Sequence, residues 1–180
     1  EEGLEREISH TQYGMRKGRS TTQAVSIVRR IQDFVERGGV EGHFVFLDWE
    51  KAFDRVRQDK LLETLQRFQV SPHLIDLVKA LYTNPTLRVT THGRDSKWMP
   101  QQRGIRQGCP LSPYLFIILM TALMADVKAE TVQKNGKHWS DKHLLAGCNF
   151  WEILYADDTT IFSAKASTIS RLLALIELHG

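Results

Sequence analysis

Asn149-Phe150-Trp151-Glu152-Ile153-Leu154-Tyr155-Ala156-Asp157-Asp158-Thr159-Thr160-Ile161-Phe162-Ser163 is the stretch on which the fold turns. Its apolar and β-branched residues form two blocks, Asn149 to Tyr155 and Thr159 to Ser163, parted by Ala156-Asp157-Asp158. That pattern reads as strand, tight turn and strand, with an Asp pair at the tip. Asp is a common turn residue, so an acidic hairpin tip is ordinarily a solvated turn. Its meaning depends on what the rest of the chain sets beside it.

Far earlier in the chain, His43 to Asp48 holds the run Phe44-Val45-Phe46-Leu47 between Gly42 and acidic residues. The run is too short for a helix and reads as a buried strand with Asp48 at its C-terminal end. Before it, Ala24, Val25, Ile27, Val28, Ile31, Phe34 and Val35 recur at helical spacing behind the caps Ser20 and Thr21, and the helix stops at Gly38-Gly39. After it, helices are expected over about Asp59 to Phe68 and Pro72 to Tyr82, with Ser71 as cap and Pro72 at the first helical position. Leu87 to Thr91 and Ser96 to Gln101 flank His92-Gly93-Arg94-Asp95 as a hairpin. A basic Gly-containing loop, Arg103 to Cys109, leads to Ser112-Pro113 and an apolar helix. Residues 130–143 read as a loop, and a last helix starts near Ser167. Helices interleaved with hairpins predict an α+β fold: an antiparallel sheet covered on one face by helices, the other face open for a ligand.

Composition narrows the class without choosing the function. Lys and Arg number 24 against 21 Asp and Glu, a net charge of +3. That balance permits a nucleic-acid partner without requiring one. Cys109 and Cys148 are too few and too far apart for a disulfide framework, which points to free thiols in a reducing, intracellular setting. The apolar stretch Tyr114 to Ala125 falls short of the ~20 residues of a membrane-spanning helix and reads as a core helix, with no membrane partner. The chain opens with Glu1-Glu2, without an initiator Met or a signal-peptide pattern, so a cut end and a longer parent protein are expected.

Three Asp residues at strand ends suit one chemistry in particular. Phosphoryl transfer by two divalent ions needs carboxylates on rigid elements that hold the ions about 3.5 to 4 Å apart. Mg²⁺ takes hard oxygen ligands and keeps several waters, so few protein carboxylates suffice. His138, His143 and Cys148 do not make a zinc site, because their spacing is irregular and a fourth ligand is lacking.

Three segments occur in order along the chain: Phe46-Leu47-Asp48-Trp49-Glu50-Lys51-Ala52-Phe53-Asp54-Arg55-Val56, Arg103-Gly104-Ile105-Arg106-Gln107-Gly108-Cys109-Pro110-Leu111-Ser112-Pro113, and Tyr155-Ala156-Asp157-Asp158. Together they resemble motifs A, B and C of reverse transcriptases. Gln12-Tyr13-Gly14-Met15-Arg16-Lys17-Gly18-Arg19-Ser20-Thr21 is similar to the segment preceding motif A in non-LTR, LINE-like retrotransposon enzymes. The resemblance implies a partial reverse transcriptase domain over 1–180: a fingers-side segment and helix to about residue 40, then a polymerase palm carrying the three motifs.

By that resemblance, Asp48 and Asp157 would bind two Mg²⁺ ions, with Mn²⁺ as a substitute, and Asp158 would support the second. Phe53 would be the steric gate that excludes a 2′-hydroxyl. Gln107 and Gly108 would pack against the incoming nucleotide, and the amides of Lys51 and Ala52 would face its triphosphate. Asp54 is a structural position expected to pair locally, for instance with an Arg. Arg16, Lys17, Arg19, Arg103 and Arg106 are candidates for template or primer phosphates. The implied partners are an RNA template, a DNA primer and a dNTP, and a eukaryotic host would place the enzyme in the nucleus. The oligomeric state is left open. The upstream residues that clasp the triphosphate, and the primer grip and thumb, fall outside the chain, so the stretch alone is expected to bind metal weakly and polymerise poorly. A group II intron maturase, an RNA-templated RNA polymerase, and a domesticated copy serving as a binding module are the alternatives. Phe53 and Ala156 weigh against the second, and the surviving Asp residues against the third.

Overall fold

The structure, a computed structural model, describes residues 2–132, 137–139, 144–145 and 147–180. Its central sheet has three antiparallel strands in the order β1-β7-β6, from β1 (His43–Leu47), β6 (Glu152–Tyr155) and β7 (Asp158–Ser163). The hairpin expected from the opening stretch is therefore present, with Tyr155 paired to Asp158 across a two-residue tip. On its other side β7 pairs with β1 from His43↔Ser163 to Leu47↔Thr159.

Strand periodicity sorts the side chains onto two faces. Val45, Leu47, Leu154 and Ile161 pack into the larger core with α4 (Gln58–Arg67), α5 (Pro72–Leu81), α6 (Ser112–Glu130) and α7 (Ala166–His179). On the opposite face, Phe44, Ile153 and Phe162 meet Ala24, Ile27 and Ile31 of α2 (Thr21–Gly38). Of the two caps read from the sequence, Ser20 is the N-cap and Thr21 the first helical residue; Ser20 and Gln23 form a reciprocal capping box that the sequence reading does not include, and Gly39 closes the helix at φ 57°. It covers one end of its face and leaves the other end bare. Phe46, expected to be buried, is consequently 65% exposed, and β1 is only half-buried.

Helix α6 runs 19 residues, beyond the apolar stretch that marked it. Its length and composition also suit a membrane span, yet most of it is buried inside the protein, as befits a core helix that is apolar all round. Thr121, which interrupts the apolar run, donates its hydroxyl to the Ile117 carbonyl at 2.7 Å and so is satisfied inside the core. Two short elements escape sequence periodicity: α1 (Glu2–Glu7) and α3 (Ala52–Arg55). The hairpin after α5 is split, with β2 (Thr86–Leu87) paired to β5 (Met99–Pro100), and β3 (Thr90–Thr91) to β4 (Arg94–Asp95). Ser71 precedes α5 without giving a side-chain cap, so Pro72 alone marks that start.

Candidate active site

Asp48 is the first residue beyond β1. One step past the Leu47↔Thr159 pair, the antiparallel register sets it opposite Asp158, on the same bare face as Phe46. Directly opposite residues in such a ladder lie about 4.5–5.5 Å apart between Cα atoms. Trp49 reinforces the alignment by donating Nε1–H to Thr159 Oγ1 at 3.2 Å, which links the residue after Asp48 to the residue after Asp158. Nothing in the sequence pattern announces that clamp.

Asp158 registers the other two carboxylates. Burial first, then the charges of Asp157 and Asp48, push the Asp158 carboxyl above its ordinary range. Among the described residues none of the three makes an ion pair, and no three His, Cys, Asp or Glu side chains already converge as a ligand cage. A set of hard oxygens, solvent-facing and unneutralised, has the chemistry a divalent cation requires, and such ions keep several waters rather than a full protein cage.

The turn that presents Asp157 is unusual in its backbone. Ala156 takes φ 55°, a left-handed value at which a side chain is disfavoured by about 1 kcal/mol or more. The segment before α2 packs against it. Gln12 Oε1 accepts from Ala156 N–H at 3.0 Å and from Gly14 N–H at 2.8 Å. A Cβ on Gly14 would lie 2.2 Å from Ala156 N, so glycine is required there by contact.

Motif B docks onto α3 through the backbone. Gly104 N–H donates to Val56 O at 2.8 Å, and Ile105 N–H to Phe53 O at 2.9 Å. Gln58 Nε2 donates to Gly104 O at 3.0 Å. Phe53 itself stacks on Phe116 of α6, centroids 4.7 Å apart with 16° between the planes, so its half-buried ring is fixed by the core.

Several side chains depart from their expected partners. Asp54 pairs with Gln107, whose Nε2 donates to Asp54 Oδ1 at 3.0 Å, and with no Arg among the described residues. The Gln107 amide group expected to face a nucleotide is thus engaged with α3. The Ala52 N–H donates to Trp49 O at 3.1 Å, closing a turn in which Lys51 takes φ 53°, so this amide is not free for a triphosphate. Arg16 serves the fold, paired to Glu5 at 2.6 Å and donating to Ser9 O at 2.8 Å and Gln12 O at 3.1 Å. Arg19 donates to His10 O at 2.9 Å, lies over the Tyr13 ring, and borders a cleft of about 460 Å³ with Ser20 and Arg30. Lys17, Arg103, Arg106, Gln107 and Gly108 are exposed. Of the residues weighed for zinc, His138 Nδ1 shares a 2.6 Å hydrogen bond with Thr131 and Cys148 packs into the smaller core, while His143 lies outside the described residues.

A model of the family described as reverse transcriptase (RNA-dependent DNA polymerase) matches residues 2–179. The chain belongs to the reverse transcriptase family. Among curated relatives, this reverse transcriptase chain is 35% identical over 99 residues to the Transposon TX1 uncharacterized 149 kDa protein of Xenopus laevis, covering 55% of the chain and 8% of that protein. It is 26% identical to a Pol polyprotein from the type-1 retrotransposable element R2 of Nasonia vitripennis, over 75% of the chain and 12% of the relative. Against the RNA-directed DNA polymerase from mobile element jockey of Drosophila funebris, identity is 29% over 98% of the chain and 18% of the relative. The chain therefore spans less than a fifth of each. In fold it is similar to telomerase from Candida tropicalis solved with a fragment of telomeric RNA, at TM-score 0.68 and 12% identity over 99% of this chain and 30% of that one. Telomerase from Candida albicans gives TM-score 0.66 at 14% identity, covering 96% of this chain and 30% of its own. The reverse transcriptase motifs A, B and C thus lie on a polymerase-type α+β fold, as the sequence implied.

Proposed function

We propose that this chain carries the nucleotidyl-transfer centre of an RNA-directed DNA polymerase from a LINE-like retroelement, with residues to about 40 on the fingers side and the remainder forming palm. The observation that carries the reading is Asp48 set opposite Asp158 beside Asp157, on a part of the sheet that no helix among the described residues covers. Asp48 and Asp157 would hold two Mg²⁺ ions, or Mn²⁺, with Asp158 supporting the second. When bound, such ions activate the attacking oxygen and stabilise the leaving one.

The protein's own part is positioning. The bare face beside Phe46 receives the primer end, paired to an RNA template, and the dNTP lies against the motif B loop. Its exposed Arg103 and Arg106, with Lys17, supply cations for phosphates. Phe53, held flat against Phe116, meets the sugar with an immobile ring that a 2′-hydroxyl would strike. Gln107 acts by holding the loop to Asp54, which leaves Gly108, at φ 84° and open to solvent, to approach the nucleotide.

Primer extension on an RNA template with Mg²⁺ and dNTPs, using a polypeptide that contains this chain, tests the reading. Extension is expected, and Asp48→Asn or Asp157→Asn should abolish it; sustained synthesis by either variant overturns the assignment. In the same assay Phe53→Ala should raise ribonucleotide incorporation relative to deoxynucleotide, and an unchanged sugar preference would remove Phe53 from the gate.

A further inference from the structure

Gln12 is far from the three carboxylates in sequence and carries no reactive group, yet its surroundings single it out. It is fully buried, at 0% exposure. Its Oε1 accepts two backbone N–H groups, of Gly14 and Ala156, while its Nε2 has no hydrogen-bond partner among the described residues. Leaving a buried donor unpaired costs about 1–3 kcal/mol. A side chain kept at that cost is used for its acceptor. The two converging N–H groups also decide which end of the amide faces the turn, since the NH₂ end would oppose them.

The backbone around Gln12 points the same way. Tyr13 N–H donates to Leu154 O at 2.7 Å and Leu154 N–H to Thr11 O at 3.0 Å, so the segment lies parallel along the outer edge of β6. That pairing carries the Gln12 side chain to the end of the strand, where Ala156 begins the turn. Ala156 has a left-handed φ without being glycine, and a hydrogen bond to its N–H holds a conformation that its side chain disfavours.

We propose that Gln12 is a positioning residue for the acidic turn: its Oε1 clamps the Ala156 amide and thereby sets where Asp157 and Asp158 point. The consequence for metal binding rests on the reading of Asp48, Asp157 and Asp158 given above. Groups that orient metal ligands without touching the ion commonly change affinity about 10- to 100-fold when removed.

The test compares Gln12→Met, which keeps the length and loses the acceptor, with Gln12→Glu, which keeps an acceptor at the same reach. Circular dichroism confirms that both fold, and two readouts follow in the 180-residue chain. The first is amide hydrogen exchange at Ala156, which should speed up in Gln12→Met and stay near wild type in Gln12→Glu. The second is Mn²⁺ affinity by electron paramagnetic resonance, expected to weaken about 10-fold or more in Gln12→Met and to recover in Gln12→Glu. Unchanged Ala156 exchange in Gln12→Met overturns the proposal, as does unchanged Mn²⁺ affinity where the wild type binds, or a Gln12→Glu variant no better than Gln12→Met. Where the 180-residue wild type binds Mn²⁺ too weakly to compare, the affinity arm uses a longer polypeptide that contains it; no binding there refutes the metal reading instead, and the exchange data then decide the positioning role alone.

Discussion

Asp158 carries opposing demands. Burial and the charges of Asp157 and Asp48 push its carboxyl up, so the folded protein holds that proton more tightly than the unfolded chain does. Wherever the folded state binds more protons, stability falls as pH rises. The loss therefore starts in the ordinary carboxylate range and is complete once pH passes the raised value in the folded state. Below that window the group costs nothing. Asp158→Asn, which cannot ionise, should unfold at a higher temperature than wild type near pH 7 in metal-free buffer, with the two converging as pH falls below 4, about where an ordinary Asp titrates. Adding Mg²⁺ or Mn²⁺ should narrow the gap, since an ion that binds only the folded wild type stabilises it by mass action. Thermal unfolding across pH checks both, and a variant less stable than wild type at pH 7 without metal would contradict the repulsion.

Between elements, the decisive contact is the approach of the motif B loop to α3. A Cβ on Gly104 would lie 2.9 Å from Asp54 O and 3.0 Å from Asp54 Cα, and Gly104 has φ 90°. Gly104→Ala thus meets both steric overlap and backbone strain, at a cost of about 1–3 kcal/mol. Moving the loop away would release the Gly104–Val56 and Gln107–Asp54 bonds together. Urea unfolding should show that loss, and in a polymerase assay the KM for dNTP should rise more than kcat falls. A variant of wild-type stability would show that the loop tolerates the shift. The glycine is visible in the sequence while its reason is not, because the clash is with a residue 50 positions away. The same divide runs through the whole reading. Ser20, Gly39, Pro72 and the hairpin around Asp157 act through neighbours within a few residues, and sequence pattern locates them. Phe46 fails that logic because its burial depends on how far α2 reaches across the sheet. Arg16 looks like any basic surface residue until Glu5 and the Ser9 carbonyl close on it, and Asp54 takes the Gln107 amide while the adjacent Arg55 pairs with Glu50. The motif spacing marked Asp48, Phe53 and Gln107, whereas the Trp49–Thr159 and Gln12–Ala156 bonds arise only once strands distant in sequence align.

Across the molecule, one buried charge ties together three parts of the fold that also meet through backbone pairing and core packing. Glu152 on β6 is 0% exposed; its Oε1 lies 2.5 Å from Lys128 Nζ near the end of α6 and accepts from Thr11 Oγ1 at 2.9 Å, while Oε2 has no partner among the described residues. Core helix, sheet and the N-terminal segment that carries Gln12 therefore meet at a single carboxylate. Such a pair adds little over an apolar replacement of both members, yet removing one member strands a buried charge, typically at 3–5 kcal/mol. In Lys128→Met the charge left behind is Glu152, which is fully enclosed, so a loss of about 3–5 kcal/mol applies. For a chain of this length that corresponds to a fall in Tm on the order of 10 °C. Lys128→Met should show it, and Lys128→Met combined with Glu152→Gln should recover part of it, because the second change removes the stranded charge and retains an acceptor for Thr11. If the double variant is less stable than Lys128→Met alone, a stranded Glu152 charge is not what the loss of Lys128 costs.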